Sequence, residues 1–244
     1  DDTATCLGCH EENINSKHFT PSAHGKVKCQ QCHAGINQYP HPEDAAGKHP
    51  QCNTCHADKS RAMQRSVHHA ARSAGGKPVN CRSCHGANPH EIVPPSRLGI
   101  AQREASCRTC HPEMAKQLAK SIHNGRQTGK PVACLSCHGG DSHAILPPVK
   151  TTSAQQNAVC LTCHKADMGK MLAGAHGKAI QRPDHPLACL SCHGGNAHAM
   201  TAPGRVSGPR MNASCENCHA ANASALATSA HGNTDMQGGN RPDC

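Results

Sequence analysis

One five-residue pattern, C-x-x-C-H, occurs nine times in this chain of 244 residues and accounts for 18 of its 19 cysteines. Leu, Ile, Val and Phe together supply only 26 residues, about 11% of the chain, whereas folded proteins usually exceed roughly 20%. A hydrophobic core built from so few side chains cannot offset the conformational entropy lost on folding. The chain must therefore be disordered, or be organised around a group that is not an amino acid.

The pattern C-x-x-C-H is the attachment signature of c-type haem. Two thiols three residues apart on a short helical turn can each bond one haem vinyl group, and the next His then points at the iron. Zinc knuckles and disulfide frameworks also use such cysteines, but neither needs a His after every second Cys. The predicted attachment residues are Cys6, Cys9, Cys29, Cys32, Cys52, Cys55, Cys81, Cys84, Cys107, Cys110, Cys134, Cys137, Cys160, Cys163, Cys189, Cys192, Cys215 and Cys218. The predicted proximal iron ligands are His10, His33, His56, His85, His111, His138, His164, His193 and His219.

The motifs alternate between two types, and each pair forms a repeat of about 53 residues. First-type motifs begin at Cys6, Cys52, Cys107, Cys160 and Cys215, and second-type motifs at Cys29, Cys81, Cys134 and Cys189. After the first copy, every second-type motif reads C-x-S-C-H-G. We expect one tandem array of two-haem units, over about 1–51, 52–106, 107–159, 160–214 and an incomplete 215–244.

Secondary structure is expected to be sparse. Residues 112–120 read as a short amphipathic helix that begins at Pro112, a residue well tolerated in the first helical turn. Segments 76–78 and 129–131 (Gly-Lys-Pro) read as turns, and no segment shows convincing strand alternation. We therefore predict short α-helices and irregular coil wrapped around a linear haem array, with little or no β-sheet.

Thirteen of the 22 histidines lie outside the motifs, and nine of them recur at regular offsets from a motif His. After most first-type motifs the offset equals that from His56 to His68, and after most second-type motifs it equals that from His85 to His90. These nine match the nine motifs in number, so bis-histidine ligation is the natural interpretation. The predicted distal ligands are His24, His41, His68, His90, His123, His143, His176, His198 and His231.

Alternatives to this ligand set remain. His18, His49, His69 and His185 are left over and are expected to be exposed or turn residues, although His69 could replace its neighbour His68. Met114 and Met168 follow their motif histidines closely and are possible axial ligands.

The sequence leaves open which distal His serves which haem. His85 and His90 are five residues apart, an extended reach of at most about 16–18 Å. That path must round the edge of the haem to reach its other face. His90 and its equivalents are therefore candidates to bind the iron of a neighbouring haem.

The net charge of +9 does not indicate nucleic-acid binding once the cofactor is counted. A ferric haem with two imidazoles carries −1 overall, because its two propionates outweigh the single positive charge at iron. Nine such groups cancel the charge of the chain. Lys77 and Lys130 are candidate propionate neighbours, and no apolar stretch is long enough to span a membrane.

The alternating units resemble those of the multihaem c-type cytochromes of anaerobic respiratory, metal-reducing bacteria, including the penta- and decahaem periplasmic electron carriers. The resemblance implies closely packed haems that conduct electrons, with redox proteins or extracellular acceptors as partners. It also suggests self-association into conductive filaments. Because haem is attached covalently outside the cytoplasm, we expect the chain to be periplasmic or extracellular, as an exported protein without its signal peptide.

An electron carrier rather than an enzyme is expected, because two imidazoles leave no iron position open to substrate. The alternative is a multihaem reductase or oxidase, for example one acting on nitrite or hydroxylamine. Such an enzyme needs one five-coordinate haem with acid–base groups beside it.

Cys244 is predicted to begin a tenth motif. Cys244 follows Cys189 by the same number of residues by which Cys189 follows Cys134, the start of the preceding second-type motif. His231 also precedes Cys244 by the same interval by which His176 precedes Cys189. The native gene should therefore continue with x-x-Cys-His after Cys244, and a distal His should follow about five residues later, as in the other second-type motifs. Sequencing past this codon, or the intact mass of the native protein, tests this; a stop codon there would leave Cys244 a free or cross-linking thiol.

Overall fold

The computed structural model describes residues 3–36, 38–42, 51–73, 75–125, 129, 132–146, 151–166, 168–184, 187–200 and 208–229, without the side chains of 208–213. His231 and Cys244 lie outside this part of the chain, as do His49, His185 and the predicted turn residues Lys130 and Pro131.

The described residues form short helices joined by coil. The α-helices are α1 (Thr3–His10), α2 (Ser16–Phe19), α3 (Cys29–Cys32), α4 (Ala57–Arg65), α5 (Cys81–His85), α6 (Ile100–Cys110), α7 (Pro112–Lys120), α8 (Cys134–Cys137), α9 (Ser153–His164), α10 (Gly169–Ala173), α11 (Ala175–Ile180), α12 (Cys189–Cys192) and α13 (Gly208–Ala227). Single 3₁₀ turns occur at Cys52–Thr54, Pro89–Glu91, Pro95–Arg97, Ile122–Asn124 and Ala197–Ala199. The helix predicted over residues 112–120 is confirmed as α7.

The C-x-x-C-H pattern closes a helical turn by a hydrogen bond of its own at several motifs. The backbone N–H of the motif His donates to the carbonyl oxygen of the first Cys, at 2.8 Å for His33 and 2.9 Å for His111. At both histidines the backbone then leaves the helical region, with φ/ψ of −104°/58° and −119°/52°. The motif therefore places two thiols and one imidazole around a single turn that ends at the His.

The residue after the motif His decides where the chain goes next. In second-type motifs after the first it is glycine, and Gly86, Gly139 and Gly194 have φ of 91°, 88° and 88°, a region that side chains with a Cβ rarely enter. The chain therefore turns away. In first-type motifs residues such as Ala57 and Pro112 begin a new helix instead.

Few apolar side chains are buried, as the composition predicts. In the described part of the chain the buried hydrophobic residues are Phe19, Ala62 and Ile180. Buried polar residues outnumber them and are Ser66, Glu104, Ser121 and Asn157. No strand occurs among the described residues, which contain one isolated bridge, between Arg72 and Pro78. The prediction of short helices and coil without a sheet is confirmed.

The chain divides into two compact units. The first comprises residues 1–111 and 138–147, and the second residues 112–137 and 148–244. Within the second unit, α10 packs against α11 so closely that a Cβ at Gly177 would meet the backbone of Leu172. None of the helices in the described ranges is long and apolar enough to cross a bilayer.

Backbone hydrogen bonds join one repeat to the next at equivalent positions. The donor is the residue directly before a first-type distal His, and the acceptor lies two residues after a second-type distal His of the following repeat. The three bonds run from Ala23 to Ile92 (2.7 Å), from Val67 to Ile145 (2.9 Å) and from Ile122 to Met200 (2.9 Å). Each of these hydrogen bonds therefore brings a distal His of one repeat close to a distal His of the next repeat.

Substituting Gly177→Ala should destabilise the second unit by about 1–3 kcal/mol, because the added Cβ forces α10 and α11 apart. Gly169→Ala is the matched control: its Cβ meets nothing within 4 Å, so it should be neutral or slightly stabilising. Denaturant unfolding of the haem-loaded chain, followed by circular dichroism, measures both. Equal stabilities of the two variants would contradict the close approach.

Candidate functional site

The motif cysteines lie at or near the surface. None of the 18 forms a disulfide, and each is half-buried or exposed. None belongs to the few buried residues, so a large group could reach each pair from outside.

Consecutive motifs are neighbours in space within each unit, as the interactions of their thiols show. Burial raises the pKa of Cys29, and the thiol of Cys6 beside it raises that pKa further. Burial and then the adjacent Cys52 do the same to the pKa of Cys81. Burial together with the next first-type motif likewise raises the pKa of Cys32, Cys84, Cys137 and Cys192. The motifs therefore follow one another in space in the order of the sequence, both in the first unit and in the second.

Imidazole rings from different parts of the sequence face each other in pairs. Seven such pairs among the described residues each join one motif His to one predicted distal His, with ring centroids 5.9–6.2 Å apart. The pairs are His10 with His41, His56 with His24, His33 with His90, His111 with His68, His85 with His143, His164 with His123, and His219 with His176.

This spacing fits one metal ion between each pair of rings. An imidazole nitrogen lies about 2.0 Å from a first-row metal that it binds, so two rings on opposite sides of the metal have centroids about 6 Å apart. Direct contact between the rings would bring them closer. The residues present therefore fit haem iron, which the motif His and the facing His of each pair would hold.

The ring pairs fall into two geometric classes. The rings are nearly parallel in the pairs at His10, His33 and His85, with interplanar angles of 7°, 12° and 14°. They are inclined by 44–69° in the pairs at His56, His111, His164 and His219. Apart from the first motif, this division follows the two motif types.

Burial, and then a facing ring, favour the neutral form of four imidazoles, and neutral imidazole is the form that binds iron. Burial lowers the pKa of His68, and the positive charge that His111 would carry lowers it further. The same two causes, burial first and then the facing ring, lower the pKa of His85, His90 and His123. A neutral ring keeps a lone pair available for a metal.

Buried serines position the distal histidines of first-type motifs. The hydroxyls of Ser66 and Ser121 accept the backbone N–H groups of His68 and His123, both at 3.3 Å. Ser121 is 2% exposed. Each serine fixes the turn that carries the imidazole.

An asparagine or aspartate takes the same position before second-type distal histidines. The side-chain oxygens of Asn88, Asp141 and Asn196 accept the backbone N–H groups of His90, His143 and His198, at 3.1, 2.9 and 2.9 Å respectively. The hydrogen bonds that Asp141 accepts from His143 lower the pKa of its carboxyl group, and the bond from the backbone N–H has the largest effect.

Asn157 links a first-type helix to the following second-type motif. It is 3% exposed, its amide donates to the Leu187 carbonyl at 2.7 Å, and its oxygen accepts the Cys189 N–H at 2.8 Å. Sequence reasoning missed the serines, the Asn/Asp residues and Asn157. The recurring S-x-H and N/D-x-H patterns were the signal that could have found the first two groups.

The ring pairs favour particular answers to the question of which distal His serves which haem. His90 faces His33 rather than His85 of its own motif, and His68, not His69, faces His111. Met114 is exposed. The ligand assignment stays a prediction for every motif.

Comparisons with known proteins give the same class of protein over different parts of the chain. Residues 93–171 match the family model for cytochrome c7 and related cytochrome c, and residues 36–86 match that for cytochrome c554 and c-prime. The high-molecular-weight cytochrome c of Nitratidesulfovibrio vulgaris is 26% identical over 135 residues, 55% of this chain. The chain covers 22% of that relative, and no solved structure gives a significant match.

Nine attachment motifs, facing imidazoles at the spacing of an iron site and these matches support one class of protein, the multihaem c-type cytochromes.

Proposed function

We propose that this chain transfers electrons along a series of bis-histidine c-type haems, each iron being held between a motif His and a distal His from elsewhere in the sequence. The seven imidazole pairs at 5.9–6.2 Å carry the proposal. When bound, haem supplies a one-electron Fe(III)/Fe(II) couple at each motif.

The protein's part is to bind, space and tune its cofactors. Thiols of successive motifs are close enough to perturb one another, as at Cys6 with Cys29 and Cys52 with Cys81. Haems attached there would be neighbours along the chain. Two imidazoles per iron also favour low potentials, because the Met ligand that raises potential is missing.

Periplasmic or extracellular placement belongs to the same proposal, since haem is attached covalently outside the cytoplasm. Redox proteins or extracellular acceptors are the proposed partners. Self-association into filaments is a further proposal, supported by the tandem repeat alone.

His193 is where the alternative function, a reductase or oxidase, would be found. Its side chain is exposed, and among the described residues no second imidazole faces it. The rule that pairs His33 with His90 and His85 with His143 takes the partner from the following second-type motif. For His193 that is the motif predicted to begin at Cys244.

Replacing His68 by Ala should convert one haem from low spin to high spin while leaving its thioether bonds intact, since only the ligand opposite His111 is removed. Electron paramagnetic resonance and intact mass measure the two effects. His69→Ala, the matched control one residue away, should leave every haem low spin. The pairing would be refuted if His69→Ala, and not His68→Ala, produced the high-spin signal.

Carbon monoxide should bind to almost none of the haems in the native, full-length chain after reduction, because carbon monoxide needs an open iron position. His123→Ala should bind one equivalent, at the site that this substitution opens opposite His164. Optical titration with carbon monoxide counts the open sites. One equivalent bound by the unsubstituted chain would instead favour the enzyme alternative, with the haem of His193 as its substrate site.

A further inference from the structure

The residue two positions before a second-type distal His has a structural role that Asn and Asp share. Asn88 and Asp141 both accept the backbone N–H of the distal His, at 3.1 and 2.9 Å. This hydrogen bond caps the short turn that presents the imidazole. The need to cap the backbone of this turn is therefore enough to explain why the position holds either Asn or Asp.

The same two side chains also reach the imidazole ring. Oδ1 of Asn88 lies 3.2 Å from Nδ1 of His90, and Oδ1 of Asp141 lies 3.0 Å from Nδ1 of His143. Each oxygen accepts a backbone N–H and has no proton of its own to donate. In its contact with the ring, Nδ1 must therefore be the donor and carry the ring proton. Nε2 is then left with its lone pair for the iron.

The two sites differ mainly in charge. The ring pairs His33–His90 and His85–His143 have centroid separations of 6.2 and 5.9 Å and interplanar angles of 12° and 14°. The acceptor at the first pair is a neutral amide, and at the second a carboxylate that is ionised at neutral pH. These two sites form a natural matched comparison.

We propose that the Asp141 carboxylate lowers the reduction potential of the haem between His85 and His143 below that of the haem between His33 and His90. The inference rests on the bis-histidine ligation proposed above. It assigns Asp141 as a potential-setting residue in the electron-transfer chain.

The physical reason is the charge change at iron. A carboxylate that accepts the Nδ1–H makes the imidazole a stronger donor, and a nearby negative charge favours Fe(III) over Fe(II). Both effects make reduction harder. Hydrogen bonding to a ligand is among the means by which a protein tunes haem potential.

Neighbouring charges limit the size of the effect. Nζ of Lys59 lies 3.9 Å from Oδ2 of Asp141, whose side chain is 44% exposed, so both the cation and water screen the carboxylate. At the other site Glu91 lies beside His90 and within 3.3 Å of His18. We therefore expect a moderate difference between the two haems.

Asp141→Asn in the haem-loaded chain should move one component of a spectropotentiometric titration to higher potential. The reduced-to-oxidised ratio of that haem at fixed potential should rise about three- to tenfold, tenfold being about 59 mV for one electron. Asn88→Asp should move one component by a similar amount in the opposite direction. Both variants keep the backbone cap, so the low-spin resonance signals should persist.

Lys59→Gln provides an independent variant, because removing the cation should lower the potential of the same haem. If the low-spin signals persist and Asp141→Asn leaves every reduction potential unchanged, the inference is overturned. If Asp141→Asn fails to assemble, unchanged reduction potentials in both Asn88→Asp and Lys59→Gln overturn it instead. Failure of the ligation itself is separately visible, as a His143→Ala variant that stays entirely low spin.

Discussion

The facing of two imidazoles from distant parts of the sequence is the interaction on which the rest of this structure depends. His10 pairs with His41, and His85 pairs with His143 of the following repeat. In the proposed holoprotein one iron closes each of these loops, so ligation and chain folding are the same event. This explains how a chain with three buried hydrophobic residues among those described can be ordered.

Burial in this protein serves ligand geometry more than hydrophobic packing. Ser66 and Ser121 fix the turns of His68 and His123, and Asn157 holds the start of a motif at Cys189. A polar group buried with its hydrogen bonds made costs little, whereas removing its partner costs about 1–3 kcal/mol. The same hydrogen bonds that satisfy these buried groups therefore also orient the imidazoles.

The sequence predicted what depends on local spacing. The motif turns, helix α7 and the set of candidate distal histidines are readable from offsets along the chain. It could not assign partners such as His90 to His33, because that choice depends on hydrogen bonds between repeats, such as Ala23 to Ile92. Neither could it show that the side chains of Asn88 and Asp141 reach the imidazole ring, because that contact depends on the geometry of the turn.

An experimental structure of the haem-loaded protein tests the central claim most directly, through the position of the iron bound by His85. The account predicts iron density between the Nε2 atoms of His85 and His143, which belong to successive repeats. Iron density between His85 and His90, within one repeat, would contradict it. That result would make each repeat an independent haem-binding unit and remove the link between ligation and folding.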